Sequence, residues 1–416
     1  MTQARIGMIS QWYDPEQGAA AVPGVIARSL VRQGHLVDVV TGFPNYPGGK
    51  LYPGYSMRPY ARERSGGVTV HRVPFYPSHD SSPVRRAASY LSFAGSASVI
   101  ALAKLDRVDS VLVHLTPATA AIPAVALKIL RRKPYVLHVE DLWPHSVTSS
   151  GFLNDTSSRH IGRVLNAYCD SLYRHALVVA VTSPGMADLV ASRGISRKKI
   201  EFVPNWADEE VFRPVARDPA LAGHLGIKTQ FTVMYAGNFG KFQSLDTLLG
   251  AANLLRQNSR IGFVLAGGGV EDARLRSLVA QRGLSNVQFI GPQPYVDMAS
   301  VMALGDVLYV GLRDLPLFRM TLPSKLQAAL AAGRPIVGSL NGDGAQALRD
   351  ADAGVVVDPG SMELLAAAIL SLSHESDSVL ARFGQNGREF YERTYSEAVV
   401  ARRLSRLLQR AVGRLG

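Results

Sequence analysis

The strongest constraint in this chain is a series of short, wholly apolar, β-branched runs, each separated from the next by a helical pattern. Residues 5–10 open the series. A polar, glycine-containing loop and a helical pattern over 21–33 follow, Gly34 supplies a stop, and 36–41 form the next strand. Residues 68–73, 110–115, 135–139 and 177–182 continue it. Strands with no polar face, spaced by helices, predict a parallel sheet covered on both sides. The pattern restarts with a strand at 231–237, a helix at 245–257 and strands at 262–266, 287–290, 307–310 and 335–338. Two successive doubly wound sheets, joined near 208–214, suit a length of 416 residues, which exceeds one ordinary core.

Two segments stand outside this alternation. Residues 87–103, behind Arg85 and Arg86, are apolar but carry four serines and a glycine, which argues against spanning a bilayer. They read as a helix covered by the protein or as one lying in a lipid interface beside its arginines, helped by Lys128, Arg131, Arg132 and Lys133. At the other end, Val399, Val400, Leu404, Leu407, Leu408, Ala411 and Leu415 share one stripe, with arginines on the rest. This describes an amphipathic helix expected to pack on the protein, with membrane contact the alternative.

Composition narrows the function classes. Hydrophobic residues at 47% and charged ones at 19% exclude a disordered chain. The lone Cys169 excludes a disulfide framework and a cysteine-clustered zinc site. Residues 1–9 lack the apolar run of a signal peptide, so a cytoplasmic location is expected. Nine of the twelve excess positive charges fall in residues 1–208. That excess suits an anionic membrane surface, a phosphorylated ligand or a merely solvated face. No RNA-binding aromatic signature and no paired Cys/His finger accompanies it, so nucleic acid is not an expected partner.

Ligands of open parallel sheets sit beyond the carboxyl ends of the strands, which directs attention to four loops. The first is Trp12-Tyr-Asp-Pro-Glu-Gln-Gly18, a structural turn or a phosphate loop, with no G-x-G-x-x-G fingerprint for a dinucleotide. The second is His138-Val-Glu140-Asp141-Leu-Trp143-Pro144, in which a carboxylate could orient a sugar hydroxyl or accept a proton, or Asp141 could cap a helix. His138 continues the strand and reads as a packed histidine. The third is Tyr235-Ala-Gly237-Asn238-Phe239-Gly240-Lys241, where backbone N–H groups and Lys241 suit a diphosphate. The fourth is Thr321-Leu-Pro-Ser324-Lys325, opening a helix that stops at Gly333. A lysine in a first helical turn opposes the helix dipole unless an anion compensates it, which singles out Lys325.

Together these segments resemble the retaining glycosyltransferases of family 4. Pro204-Asn205-Trp206-Ala207-Asp208 with Phe212-Arg-Pro214 is similar to the family's interdomain motif. The 235–240 turn, Leu265-Ala-Gly267-Gly-Gly269, residues 286–291 and 323–337 match in order and spacing. Gly42-Phe-Pro-Asn45-Tyr46-Pro47 and Asp141-Leu-Trp-Pro144 resemble the bacterial exopolysaccharide and O-antigen branch, which includes colanic-acid and fucosamine transferases. The resemblance implies the GT-B fold: α/β, with two Rossmann-like domains facing a central cleft and a C-terminal helix. The expected division is 1–208 on the acceptor side, 209–390 for the donor and 391–416 for the helix.

The resemblance further implies a UDP- or GDP-sugar donor, a lipid-linked or oligosaccharide acceptor, and the inner face of the cell membrane as workplace. Neither a metal nor a cofactor is expected. Expected donor contacts are Gly18, Gly237, Asn238, Gly240, Lys241, Gly267, Ser324 and Lys325; catalytic ones Glu140 and Asp141; acceptor ones Asn45 and Tyr46. Three departures qualify the transfer of roles. A Glu pair common in the family falls on Met320 and Ala328. The diphosphate-binding Arg and Lys fall on Asn238 and Gln243, and a common histidine falls on Glu140. The alternatives are a nucleotide-sugar epimerase of the same fold and a catalytically silent nucleotide-sugar-binding protein.

Overall fold

The computed structural model describes residues 3–78, 82–143 and 155–412. Pro144 and Leu415, named in the motifs above, lie outside the described residues. The chain divides into two compact units, Met1–Pro204 with Val400–Gly416, and Asn205–Val399.

The first unit is built on eight strands: β1 (Arg5–Ile9), β2 (Leu36–Gly42), β3 (Ala61–Ser65), β4 (Val68–Val73), β5 (Ser110–Leu115), β6 (Tyr135–Val139), β7 (Val178–Val181) and β8 (Ile200–Phe202). Their order in the sheet is β3-β4-β2-β1-β5-β6-β7-β8, with every described pairing parallel except β3 against β4. The central strands are buried along nearly their whole length, as continuous apolar runs covered by helices require. Edge strand β3, sequence ARERS, has no apolar run to announce it. Gly66 and Gly67, both at positive φ, turn it into β4, and its charged side chains suit an exposed edge.

The second unit carries β9 (Phe231–Ala236), β10 (Ile261–Ala266), β11 (Val287–Gly291), β12 (Val307–Gly311), β13 (Ile336–Ser339) and β14 (Gly354–Val357) in the order β11-β10-β9-β12-β13-β14. All of these pair in parallel. Phe231, Val233, Tyr235, Phe263, Leu265 and Tyr309 from the strands pack with Leu245, Leu248 and Leu249 from the helix Leu245–Leu254.

The helix Asp377–Thr394 precedes the helix Glu397–Val412, and the latter carries the amphipathic stripe expected within 391–416. Tyr391 of the former latches the Pro204–Asp208 motif: its hydroxyl accepts from the Ala207 N–H at 3.1 Å and lies 3.1 Å from a Glu209 carboxylate oxygen. Val400, Leu404, Leu407 and Leu408 of the latter are buried within the first unit. Ser405 bonds His35 Nε2 at 2.7 Å, and Arg403 donates to the Phe202 carbonyl at 2.6 Å. The stripe therefore packs on the protein, as its spacing predicts.

Candidate active site

In the second sheet the chain order reverses between β9 and β12, so their carboxyl ends flank the crevice where open α/β sheets take ligands. The loop leaving β9 is the glycine turn. The segment leaving β12 leads to the helix Ser324–Ala331, whose N-cap, Pro323, offers no side-chain cap. Gly237 has φ 136°, and a Cβ there would stand 2.7 Å from Lys325 Cε. Glycine is what lets the lysine stem lie against the strand end. The Lys325 ammonium donates to Gln243 Oε1 at 3.2 Å and sits 5.8 Å from the centre of the Tyr235 ring. Both partners are neutral, and burial pushes the Lys325 pKa below the ordinary lysine value. A cation enclosed by neutral groups, at the positive end of a helix, has an anion as its natural complement.

The glycine loops after β9 and β10 lock together. Gly237 N–H donates to the Ala266 carbonyl at 2.9 Å, Phe239 N–H to Gly268 at 2.7 Å, and Gly267 N–H to Gly291 at 2.8 Å. A Cβ on Gly267 would collide with the Gly237 carbonyl, and one on Gly269 with Asn238. Two backbone donors of the 237–240 turn are thus spent inside the protein, which leaves the side-chain charge as the main anion-attracting feature there. Asn238, Lys241 and Ser324 are exposed, and Gly240 is half-buried.

In the first sheet the order reverses between β1 and β5. Gly18, at φ 65° with open space where a Cβ would stand, begins the turn that enters the helix Val22–Arg32. Beside it, the buried Glu16 accepts from the N–H groups of Asn45 at 2.6 Å, Tyr46 at 2.8 Å and Tyr13 at 3.0 Å. Burial raises the Glu16 pKa against the lowering effect of those donors. Asn45 is buried and its side-chain amide donates to the Phe43 carbonyl, so it fixes the loop from within. Tyr46 is half-buried, with its ring 5.6 Å from that of Trp12. Glu16 looks in the sequence like one more polar loop residue, and only its burial beneath 45–46 marks it.

The adjacent β5 and β6 place His114 beside His138, and both histidines are buried. Glu140 Oε1 lies 3.0 Å from His138 Nδ1 and 3.7 Å from His114 Nδ1. His138 Nε2 contacts the Val203 carbonyl at 3.1 Å; a carbonyl only accepts, so this nitrogen carries the hydrogen. Burial opposes the charged form of His138, yet Glu140 outweighs it and raises the pKa. His114 goes the other way: burial, with His138 adding to it, lowers the pKa to about 4 against the pull of Glu140. His138 is packed, as the strand pattern predicts, but it is also charge-paired. These three side chains are the one metal-sized donor cluster among the described residues, with ligand atoms all within 4.8 Å of one another. Asp141, with its side chain reaching solvent, is crowded enough that desolvation, aided by the Glu140 charge, pushes its pKa up to about 6.

Known proteins place this arrangement. Residues 17–206 match the Glycosyl transferase 4-like domain and residues 220–390 match Glycosyl transferases group 1. WcaI of Escherichia coli K12, named for colanic acid biosynthesis, is 29% identical over 402 residues, covering 94% of this chain and 96% of WcaI. Among solved structures, sucrose-phosphate synthase from Thermosynechococcus elongatus superposes with a TM-score of 0.76 at 18% identity, covering 99% of this chain and 100% of that one. HepE of Anabaena, solved with UDP-glucose, gives 0.68 at 16% identity, covering 98% and 100%. With a 4-like domain on its first sheet and a group 1 domain on its second, the chain belongs to the glycosyltransferases of GT-B fold.

Proposed function

We propose that the chain is a retaining, metal-independent glycosyltransferase. It moves a sugar from a UDP- or GDP-sugar to a hydroxyl of a lipid-linked or oligosaccharide acceptor in bacterial surface polysaccharide synthesis. The observation that carries this reading is Lys325, enclosed by Gly237, Gln243 and Tyr235 at a helix start on the switch point of the second sheet. The WcaI likeness supports the pathway, and the UDP-glucose bound to HepE supports the donor class.

In the reaction, the bond from the anomeric carbon to the departing diphosphate breaks, and the acceptor oxygen bonds that carbon on the same face. Negative charge grows on the diphosphate as positive charge grows on the sugar ring. Lys325 and Lys241 offset the former, together with the start of the Ser324–Ala331 helix; Gly237, Gly240 and Gly267 allow close approach, and Asn238 and Ser324 offer hydrogen bonds. Gly18 gives the same close approach at the end of β1. Glu140, its charge held by His138, positions a sugar or acceptor hydroxyl, and Asp141 is the carboxylate whose raised pKa suits proton acceptance near neutral pH. Tyr46 presents its ring to the acceptor, and Asn45 shapes the loop that carries it.

Purified protein given labelled nucleotide sugars and membrane-extracted acceptors tests this. The expected products carry the donor's anomeric configuration and form in the presence of a chelator. Inverted products or abolition by the chelator contradict the reading, and donor conversion without an acceptor identifies an epimerase instead.

A further inference from the structure

The neighbouring strands β5 and β6 are built of Val and Leu at 111–113, 115, 136, 137 and 139. Two imidazoles interrupt that apolar wall. The register sets His114 directly against His138, and parallel neighbours lie about 4.8 Å apart. Both rings therefore stand on the same face of the sheet, with centres 6.0 Å apart. Glu140 follows His138 by two residues, and the two-residue repeat of an extended chain returns its side chain to that face. Burying two polar rings in such a wall is costly unless each finds a partner.

The hydrogen bond from His138 Nε2 to the Val203 carbonyl fixes which ring nitrogen is left for other work. In the neutral ring that is Nδ1, whose lone pair faces a Glu140 oxygen 3.0 Å away. Two lone pairs at that distance repel, so a cation must join them. A proton on Nδ1 serves this pair, but it leaves His114 out. His114 Nδ1 is buried and has no hydrogen-bond partner among the described residues. It stands 3.7 Å from the same Glu140 oxygen, beyond hydrogen-bond reach. A tetrahedral dication with bonds of about 2.0–2.2 Å to N and O keeps its donors roughly 3.4 Å apart, midway between these two separations. The third separation stays within 4.8 Å. One ion thus accounts for all three groups, where a proton accounts for two.

We propose that His114, His138 and Glu140 form a binding site for a late first-row transition-metal dication of the Zn²⁺ class. Two imidazoles and one carboxylate suit such an ion and select against Mg²⁺ and Ca²⁺, which take oxygen ligands. His138 Nδ1 gives up its proton to water as the ion enters, and the bond to Val203 continues to hold the ring in place. The Glu140 side chain is 16% exposed, against 1% for His138 and 5% for His114, and marks the way in beyond the carboxyl end of β6. The ion takes no part in the transfer proposed above. It competes with it, because a carboxylate bound to metal no longer receives a sugar or acceptor hydroxyl. That inhibitory consequence rests on the role given to Glu140 there; the binding does not.

Titration calorimetry of the chelator-treated full chain with Zn²⁺ and with Mg²⁺ tests it. One Zn²⁺ per chain and no Mg²⁺ binding are expected. Co²⁺ in its place should give the visible absorption bands of a nitrogen- and oxygen-ligated ion. His114→Gln and Glu140→Gln are each expected to weaken Zn²⁺ binding at least about tenfold and to remove those bands, while melting stays cooperative. The parent supplies a second reading that needs no folded variant: the ring signals of His114 and His138 in histidine NMR should shift together and saturate at one equivalent of Zn²⁺. Absence of Zn²⁺ binding, binding undiminished in both variants, or ring signals unmoved by Zn²⁺ overturns the proposal. For the consequence, Zn²⁺ is expected to abolish transfer, with activity restored by a chelator. Transfer unchanged or stimulated once the site is filled overturns the inhibitory role and leaves the binding standing. Because binding is read without substrates, a chain that proves inactive in chelator contradicts the transfer reading and not the site.

Discussion

Lys325 and Gly237 act as a pair: the side chain fills the space that the missing Cβ leaves. Gly237→Ala therefore meets two penalties, a φ of 136° that L-residues avoid and a Cβ against Lys325 Cε. A cost of about 1–3 kcal/mol from the backbone alone is expected, read as a lowered melting temperature, together with weakened nucleotide binding as the lysine is displaced. Asp141 offers a pH test. With a folded pKa of about 6 above the model-compound 3.8, it binds its proton more tightly folded than unfolded. Its contribution to stability is thus present below pH 3.8 and lost as pH rises through about 6. If the ionised form does the work, transfer rate climbs across pH 6, and Asp141→Asn lowers the rate and flattens that limb. A parent profile without an inflection near pH 6 would remove the role. For Glu140→Gln, histidine NMR is expected to show the His138 pKa falling, because the charge that raises it is gone. At this scale the sequence showed Lys325 through its conflict with the helix dipole, whereas Gln243 and Glu16 matter through contacts made only on folding.

Among the elements, the last helix belongs to the unit that the chain completed some two hundred residues earlier. Its buried Val400, Leu404, Leu407 and Leu408 cover the first unit, and Arg403 and Arg410 tie it to the region of β8. Ending the chain before Val400 is expected to destabilise the first unit while leaving the second intact. Limited proteolysis or hydrogen exchange should report faster opening of β1–β8 against unchanged β9–β14, and uniform protection would contradict this. The stripe was readable because amphipathic spacing survives in sequence, but the surface it covers was not, since packing partners distant in the chain leave no periodic trace. The same logic separates the strands. The central ones, apolar throughout, declared themselves, whereas β3 is a charged edge strand with no apolar run.

For the whole molecule, the account divides labour: the second unit grips a nucleotide diphosphate, and the first presents carboxylates and the Asn45–Tyr46 loop. UDP or GDP should then protect 237–243 and 324–327 from hydrogen exchange more than any segment of the first unit, since a ligand stabilises what it binds. Fold class was legible because two runs of buried parallel strands admit few alternatives, while donor base, sugar and acceptor depend on side chains that no periodicity encodes. The most direct test of the central claim is titration calorimetry of UDP and GDP against the parent protein and Lys325→Ala. A charged hydrogen bond to phosphate is worth about 1.5–3 kcal/mol, so the account predicts one nucleotide bound by the parent and a loss of roughly 10- to 150-fold in the variant. Equal affinities in a variant that remains folded would contradict it.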